Sequence, residues 1–172
     1  FAQIDRARAI AVLPVAATEQ HGPHLPLNVD TALVDGVVAA CLPHLSDTLP
    51  VLFLPTQAVG LSPEHQRFAG TLTLTAQTVI GLWTEIGESV ARSGIKKMVL
   101  LNSHGGHMGV LDIVARDLRS RLDLLVYSVS WFDLPLGPEV ENLFSADEQR
   151  FGIHAGEIET STTLAHRPHL VR

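Results

Sequence analysis

Apolar residues along the chain form two kinds of pattern, continuous runs and runs that recur every three or four positions. The continuous runs lack the alternation of a half-exposed strand, so they predict strands that are buried on both faces of a parallel sheet. These predicted strands cover residues 9–17, 51–59, 97–102 and 124–131. Each of the first three is followed by a loop that carries histidine.

Between these runs, apolar residues recur at spacings of three and four, which predicts helices with one buried face. The predicted helices cover residues 31–45, 75–93 and 108–122, with a last helix opening in residues 154–161. Residues 132–152 are predicted to form a long irregular connection. Strands that alternate with helices predict an α/β fold, a three-layer α/β/α arrangement around a mostly parallel central sheet.

The composition is that of a globular protein. Its 172 residues are 46% hydrophobic and 17% charged, so we expect a single domain over residues 1–172. A formal net charge of −6 without a dense lysine and arginine cluster argues against nucleic acid and anionic membranes as partners. A small molecule or a peptide is therefore the expected substrate. No apolar run approaches the roughly 20 residues that span a bilayer.

Two residues in the helical patterns carry further expectations. Trp83 is predicted to belong to the core. Cys41 is the lone cysteine, and its place in an apolar helical pattern predicts a small buried hydrophobic residue. Because one cysteine cannot form an intrachain disulfide, we expect a reducing, cytoplasmic compartment.

The densest group of possible metal ligands follows the first predicted strand. The candidates are Glu19, His21, His24 and Asp30. Carboxylate oxygens and imidazole nitrogens without a thiolate suit a divalent cation such as zinc, manganese or iron(II). Two prolines in this segment disfavour helix and central strand, which predicts a stiff loop. Asp30 also stands immediately before a predicted helix, where it would serve as the N-cap, and one carboxylate can fill both roles.

Two further histidine-bearing loops, residues 62–65 and 102–107, follow the second and third predicted strands. The carboxyl ends of strands in an α/β sheet converge on one crevice, so ligands that are distant in sequence become neighbours. A single histidine is more often structural or at the surface, and the convergence is what indicates a site. Gly105 and Gly106 could aim amide groups at an oxyanion, although a plain tight turn has the same sequence.

Several common catalytic motifs are absent from the sequence. It contains no Gly-x-Gly-x-x-Gly, no Gly-x-Ser-x-Gly and no Gly-Lys-Ser/Thr motif. Their absence argues against dinucleotide-binding proteins, α/β-hydrolases and nucleoside triphosphatases.

Four motifs, taken together and in order, resemble the creatininase family of metal-dependent amidohydrolases. They are Thr-Glu-Gln-His-Gly-Pro-His-Leu-Pro at 18–26 with Asp30, Ser-Pro-Glu-His at 62–65 with Gly70-Thr71, Asn-Ser-His-Gly-Gly-His at 102–107, and His-Ala-Gly-Glu-Ile-Glu-Thr-Ser at 154–161. The resemblance covers nearly the whole chain. Members of that family continue for some tens of residues past the last motif, and this chain begins with Phe1. We therefore expect a part of a longer polypeptide that lacks a C-terminal segment.

The resemblance implies a site for two divalent metal ions, zinc, manganese or iron, bridged by a carboxylate. Asp30 resembles the bridging ligand, Glu19 and His104 resemble ligands of one ion, and His21 resembles a ligand of the other. Creatininase itself has a further carboxylate at the place of Gly106. This chain is instead similar to the family branch with Gly-Gly in the third motif, in which Glu157 is the matching ligand.

The resemblance also implies residues for catalysis and for substrate binding. His154 resembles the proton-transfer histidine of the family, and Glu159 resembles a carboxylate that orients it. Ser62 and the amide of Gly105 resemble substrate contacts. The histidine would carry a proton to the departing nitrogen, because an amide nitrogen leaves poorly unless it is protonated.

The third motif departs from the usual family sequence at two positions. Ser103 and His107 stand where the family usually has glycine and asparagine. Ser103 is small enough to be tolerated. His107 could add a ligand or a proton shuttle, but helix capping or a surface location is favoured.

The leading hypothesis is a metal-dependent amidohydrolase that cleaves a C–N bond in a non-standard or cyclic amide, a formamide or a short peptide. Creatinine itself ranks below the others because Gly105 and Gly106 replace the creatininase sequence. The rival is a metal-binding, non-catalytic homologue with a structural or regulatory role, which the intact set of candidate ligands disfavours. The resemblance further implies a homo-oligomer, a hexamer in the family.

Overall fold

A four-stranded parallel sheet forms the centre of the fold in the computed structural model, which describes residues 4–172. Its strands are β1 (Ile10–Val15), β2 (Val51–Phe53), β3 (Lys97–Asn102) and β4 (Leu125–Ser130). The order across the sheet is β2-β1-β3-β4, and every pairing is parallel. The predicted α/β class is confirmed.

Helices cover both faces of this sheet. They are α1 (Val29–Cys41), α2 (Ala76–Arg92), α3 (Met108–Leu122), α4 (Pro138–Glu141), α5 (Ala146–Phe151) and α6 (Glu157–His166). Helices α2 and α3 pack together and share the main apolar core with alternate side chains of β1, while α1 packs on β1 and on α6. Because successive side chains of a strand point to opposite faces, this arrangement gives two helical layers around one sheet.

The register places the ends of three strands at one edge. Val15 at the end of β1 lies opposite Asn102 at the end of β3, and Asn102 lies opposite Ser130 at the end of β4. The backbone N–H of Ser103 donates to the carbonyl of Val15, so the loop after β3 begins beside the loop after β1. The loops that carry the candidate ligands therefore emerge next to one another.

Strand β2 is shorter than the predicted 51–59. Pro55 has no backbone N–H to donate, and a proline at this point interrupts a regular ladder. The chain still continues beside β1, because the N–H of Gln57 donates to the carbonyl of Pro14 and the N–H of Ala16 donates to the carbonyl of Gln57. The apolar run was thus interpreted correctly as lying along the sheet, but not as regular strand throughout.

Helix α1 differs from its prediction at both ends. It begins at Val29, so Asp30 lies in the first turn and not at the N-cap, which is Asn28. It ends at Cys41, where Pro43 follows in a short 3₁₀ turn. Cys41 is exposed, so its predicted burial is wrong: the last turn lies beyond the apolar face that α1 packs on the sheet. Trp83 is fully buried, as predicted.

The connection predicted to be irregular, residues 132–152, contains the two short helices α4 and α5. Ser145 caps α5 by accepting a hydrogen bond from the N–H of Glu148. The last helix then begins at Glu157 and ends before Pro168. None of the helices in residues 4–172 combines the length and the apolar character that crossing a membrane requires.

Two glycines inside α2 provide a matched test of the helical layer. Gly87 lies on Leu118 of α3, and a Cβ at Gly87 would be 2.4 Å from Cδ1 of that buried leucine. Gly81 has no atom within 4 Å of the same position. We expect Gly87→Ala to lower the free energy of unfolding by about 1–3 kcal/mol through overpacking. Gly81→Ala should raise it by about 0.5–1 kcal/mol, because alanine favours helix over glycine. Chemical denaturation of both variants measures this, and equal effects would contradict the packing.

Candidate metal centre

Two loops and the first turn of a helix bring buried carboxylates and imidazoles together at the carboxyl edge of the sheet. Glu19 follows β1, Asp30 comes from the first turn of α1, and His104 follows β3. The three side chains are buried, and their nearest ligand atoms all lie within 4.8 Å of one another. Nδ1 of His104 is 3.1 Å from Oε1 of Glu19 and 3.3 Å from Oδ2 of Asp30.

A second group lies on the other side of Asp30. Nε2 of His21 is 3.0 Å from Oδ1 of Asp30 and 3.5 Å from Oε1 of Glu159. One possible ligand atom from each of His21, His154 and Glu159 also lies within 4.8 Å of the other two. Asp30 therefore faces both candidate histidine ligands, with one carboxylate oxygen toward His21 and the other toward His104.

Backbone carbonyls determine which ring nitrogen of each histidine faces the carboxylates. Nδ1 of His21 is 3.1 Å from the carbonyl oxygen of Glu19, and Nε2 of His104 is 3.0 Å from the carbonyl oxygen of Leu61. A carbonyl can only accept, so each of these nitrogens carries a hydrogen. The opposite nitrogens, Nε2 of His21 and Nδ1 of His104, are left to point at Glu19 and Asp30. Metal-binding histidines are held in this way.

Several atoms at the centre have no hydrogen-bond partner among the described residues. They are Oε1 of Glu19, Nε2 of His21, Oδ2 of Asp30 and Nδ1 of His154. Some lie at ion-pair distance from one another, but the directions of the N–H groups do not make hydrogen bonds. Buried polar atoms are rarely left without a partner. A divalent cation between these oxygen and nitrogen atoms would satisfy them, and this donor set suits zinc, manganese or iron(II).

Burial and the opposite charges act against each other on the pKa values of this cluster. Burial lowers the pKa of His21 and of His104, but the carboxylates beside them outweigh it and raise each pKa to about 10. Burial raises the pKa of Glu19 and of Asp30, but the histidines outweigh it, and both carboxyl groups have a lowered pKa. Without metal, the cluster is therefore an array of paired charges. The pKa of His154 is lowered, first by burial and then by the charge of His21.

The structure does not bring Glu157 to the cluster. Its carboxylate is at the start of α6, accepts hydrogen bonds from the N–H and hydroxyl of Ser145 at 2.9 and 2.7 Å, and has a lowered pKa through those bonds. Glu159 faces His21 instead and accepts a hydrogen bond from the N–H of Ala155. Because a helix turns by about 100° per residue, side chains two positions apart point to nearly opposite sides. The side of α6 that faces the site therefore carries Glu159.

Ser62 is located behind the cluster. It is fully buried, and its hydroxyl donates to Oε2 of Glu19. Ser62 thus supports a candidate ligand, and it is not among the residues that line the cleft over the site. Gly105 does line that cleft.

The cleft has a volume of about 670 Å³, and its base contains Asp30, His104, His154 and Glu159. Apolar and aromatic side chains form much of its wall, namely Leu33, Trp131, Phe132, Ile153 and Ile158. The indole N–H of Trp131 donates to the hydroxyl of Ser103 at 2.9 Å. The two acids Glu64 and Glu148 also line it, and no described lining residue is lysine or arginine.

Two histidines have surroundings that the sequence did not reveal. His65 lies with Glu19 and His154 in a third possible ligand group, and its Nε2 is 3.0 Å from Nε2 of His154. His107 stands at the N-cap of α3, but its side chain is fully buried and makes no capping hydrogen bond, so the predicted surface location is wrong and the imidazole does not act as a cap. Burial, and then the charge of His104, lower the pKa of His107 to about 3. The segment 102–107 contains only polar residues and glycine, so the sequence gave no sign that its last residue points into the core.

Fold and site together define a class of protein, a parallel α/β protein with a buried carboxylate and histidine centre suited to divalent cations. The chain belongs to the creatininase family, because the family model described as creatinine amidohydrolase matches residues 1–172. The resemblance carried by the four motifs is thereby confirmed.

Relatives of the chain include two differently named hydrolases. The mycofactocin precursor peptide peptidase of Mycobacterium tuberculosis is 38% identical over 115 residues, which are 63% of this chain and 45% of that protein. The creatinine amidohydrolase of Pseudomonas putida is 30% identical over an alignment of 183 residues that covers 99% of this chain and 69% of that protein. The chain thus spans less than half the length of the mycofactocin-type relative.

Solved structures of creatininases have the same fold. One named "Creatininase Mn" has a TM-score of 0.77 and 28% sequence identity, covering 96% of this chain and 68% of that chain. A mutant creatininase of "Zn-Zn type" has a TM-score of 0.71 and 29% identity, covering 96% of this chain and 67% of that chain. The names of these structures refer to manganese and zinc.

The raised pKa values give a prediction for metal binding. In metal-free protein, His21 and His104 should both stay doubly protonated, and so positively charged, up to a pH of about 10. A histidine that binds a metal ion must be neutral. Binding at about pH 8 should therefore release about two protons, and the apparent affinity should rise with pH. Calorimetric titration in buffers of different ionisation enthalpy counts the protons. His44→Gln, at an exposed histidine, should leave the count unchanged, and a heat that is independent of the buffer would contradict the prediction.

Proposed function

We propose that the protein is a metal-dependent hydrolase of C–N bonds in amides. The observation that carries this proposal is the set of buried carboxylate and imidazole atoms without hydrogen-bond partners, at the base of an apolar cleft. The family supports it, since both named relatives act on amide or peptide substrates according to their names. When bound, divalent cations would supply Lewis acidity, which lowers the pKa of water and polarises a carbonyl.

We assign two ions to two sets of residues that share Asp30. Glu19 and His104 would complete the first set, and His21 and Glu159 the second. The two carboxylate oxygens of Asp30, one toward each histidine, support this sharing. Glu159 replaces Glu157 in this assignment, because its carboxylate is the one near His21. Zinc, manganese and iron(II) all suit these donors.

His154 is the residue that we assign to proton transfer. Its side chain is 20% exposed, it lines the cleft, and Nδ1 has no hydrogen-bond partner. Its lowered pKa keeps the ring neutral, so it can take a proton from the attacking water and give it to the departing nitrogen. His65, at 3.0 Å from its Nε2, holds the ring in place. Ser62 acts behind the site by holding Glu19.

The cleft supports a neutral amide or a short peptide as the substrate. Its volume suits a small molecule or a peptide end, and its aromatic wall suits an apolar or planar group. Non-standard or cyclic amides, formamides and short peptides all fit these features. Creatinine ranks below them because Gly105 and Gly106 stand in place of the creatininase-type sequence.

We further propose that the protein works as a homo-oligomer in the cytoplasm. The apolar side chains Leu143, Phe151 and Ile153 are each at least 65% exposed, and contact with another copy would cover them. The unpaired thiol of Cys41 is compatible with a reducing compartment.

Exchanging the two acids of α6 one at a time tests the ligand assignment. Glu159→Gln keeps the shape of the side chain but removes the charge, so it should cost one of two bound ions. Glu157→Gln is the matched control: it disturbs only the contacts with Ser145 and should retain both ions. Elemental analysis after dialysis gives the metal content. If Glu157→Gln lost one ion and Glu159→Gln kept both, Glu157 would be the ligand, as the family resemblance implies, and our assignment of Glu159 would be refuted.

The proposed reaction is tested with His154→Ala and a panel of formamides, cyclic amides and short peptides. Metal-reconstituted wild-type protein should hydrolyse at least one class, and chelation should abolish the activity. His154→Ala should keep both ions and change KM little, while kcat falls about 10²–10⁴-fold through loss of proton transfer.

Metal analysis and steady-state kinetics on the same preparation separate the alternatives. A near-normal kcat with a lower melting temperature would remove His154 from catalysis, and loss of an ion would make it a ligand. Wild-type protein that binds two ions but hydrolyses no amide in the panel would favour the non-catalytic homologue.

A further inference from the structure

His107 is a buried imidazole that the proposed reaction does not use. It is fully buried, beneath His104 and against Trp83, with ring centroids 4.6 and 4.9 Å away. Both of its ring nitrogens have protein partners. Nε2 is 3.1 Å from the backbone nitrogen of Leu61, and Nδ1 is 3.1 Å from Oδ1 of Asn102.

The hydrogen positions in this contact follow from the backbone. The N–H of Leu61 can only donate, so Nε2 of His107 accepts. A neutral ring then carries its hydrogen on Nδ1 and donates to Asn102. This fixes the side-chain amide of Asn102, whose oxygen also accepts from the N–H of His104 and whose nitrogen donates to the carbonyl of His104.

The chain of hydrogen bonds closes on itself through the candidate ligand. Nε2 of His104 donates to the carbonyl of Leu61, whose N–H donates to His107. Through Asn102, His107 is connected back to the backbone of His104. We call these four residues, Leu61, Asn102, His104 and His107, the imidazole ring network. In this network, the carbonyl of Leu61 fixes the tautomer of His104, and the N–H of Leu61 fixes the tautomer of His107.

We propose that His107 is a positioning residue that holds the loop after β2 against the end of β3 and thereby aims Nδ1 of His104 at the metal site. The proposal rests on the proposed function, because it concerns an ion bound by His104. Without His107, the N–H of Leu61 and one acceptor position of Asn102 would be buried without a partner. The loop would then shift, and with it the carbonyl that orients His104.

Gly60 supports this role independently. A Cβ at Gly60 would lie 2.0 Å from Nε2 and 2.5 Å from Cε1 of His107, and 2.9 Å from the carbonyl oxygen of Ala16. The loop can therefore approach the imidazole this closely only with glycine at this position. The imidazole of His107 thus occupies the space that a side chain at position 60 would need.

The test compares His107→Phe with Trp83→Phe in the full-length protein. His107→Phe keeps a ring of similar size but removes both nitrogens. Trp83→Phe changes the packing against the same imidazole, and the indole nitrogen of Trp83 makes no hydrogen bond in the described structure. Zinc affinities are measured by competition with a chromophoric chelator, and hydrogen exchange is measured at the amide of Leu61. His104→Ala identifies which of the two affinities belongs to the ion held by His104.

We expect His107→Phe to weaken the ion held by His104 by about 10–100-fold, with a much smaller effect on the ion held by His21. The amide of Leu61 should exchange faster. Trp83→Phe should lower the melting temperature but leave both affinities and the Leu61 amide as in the wild type. If His107→Phe does not fold, Gly60→Ala serves as the second variant, since it displaces the imidazole and should weaken the same ion.

Unchanged affinities in His107→Phe, or an equal loss in Trp83→Phe, would overturn the positioning role while leaving the proposed function intact. If His107→Phe does not fold, unchanged affinities in Gly60→Ala would overturn it in the same way. Wild-type protein that binds no zinc would overturn both.

Discussion

The burial of two carboxylates, Glu19 and Asp30, is the constraint on which the rest of the site depends. A buried carboxylate is costly unless positive charge compensates it. The chain provides two histidines on opposite sides of Asp30, and backbone carbonyls fix their outer nitrogens. The other ring nitrogens, Nε2 of His21 and Nδ1 of His104, therefore stay directed at the carboxylates, where they can bind a proton or a cation. The burial of these carboxylates explains why an ordered cluster contains polar atoms without hydrogen-bond partners.

The parallel sheet brings these groups together. Parallel strands place successive loops at one edge, so Glu19 after β1 and His104 after β3 need no long excursions to meet. The close approach of the loop after β2, through Leu61, then adds the carbonyl that orients His104. Ser62, the next residue, holds Glu19 from behind. Two adjacent residues of one loop thus serve two different side chains of the site.

Hydrophobic patterning predicted the fold well, because buried strands and amphipathic helices have different periods. Glu19, His21, Asp30 and His104 could be predicted as a group, since their loops follow predicted strands. Which of Glu157 and Glu159 faces the cluster could not be predicted, because it depends on how α6 is rotated against the site, and side chains two positions apart on a helix point to nearly opposite sides. The burial of His107 and the exposure of Cys41 depend on tertiary packing that local sequence does not encode.

Gly106 limits which side chains this site can accept. A Cβ there would lie 2.5 Å from Nε2 of His104, 2.7 Å from Oε1 of Glu64 and 2.9 Å from the carbonyl oxygen of Leu61. No larger side chain fits while that carbonyl holds His104. A carboxylate at position 106 is therefore incompatible with the arrangement in which the carbonyl of Leu61 holds His104. A larger side chain at position 106 would require compensating changes at His104 or in the loop that contains Leu61.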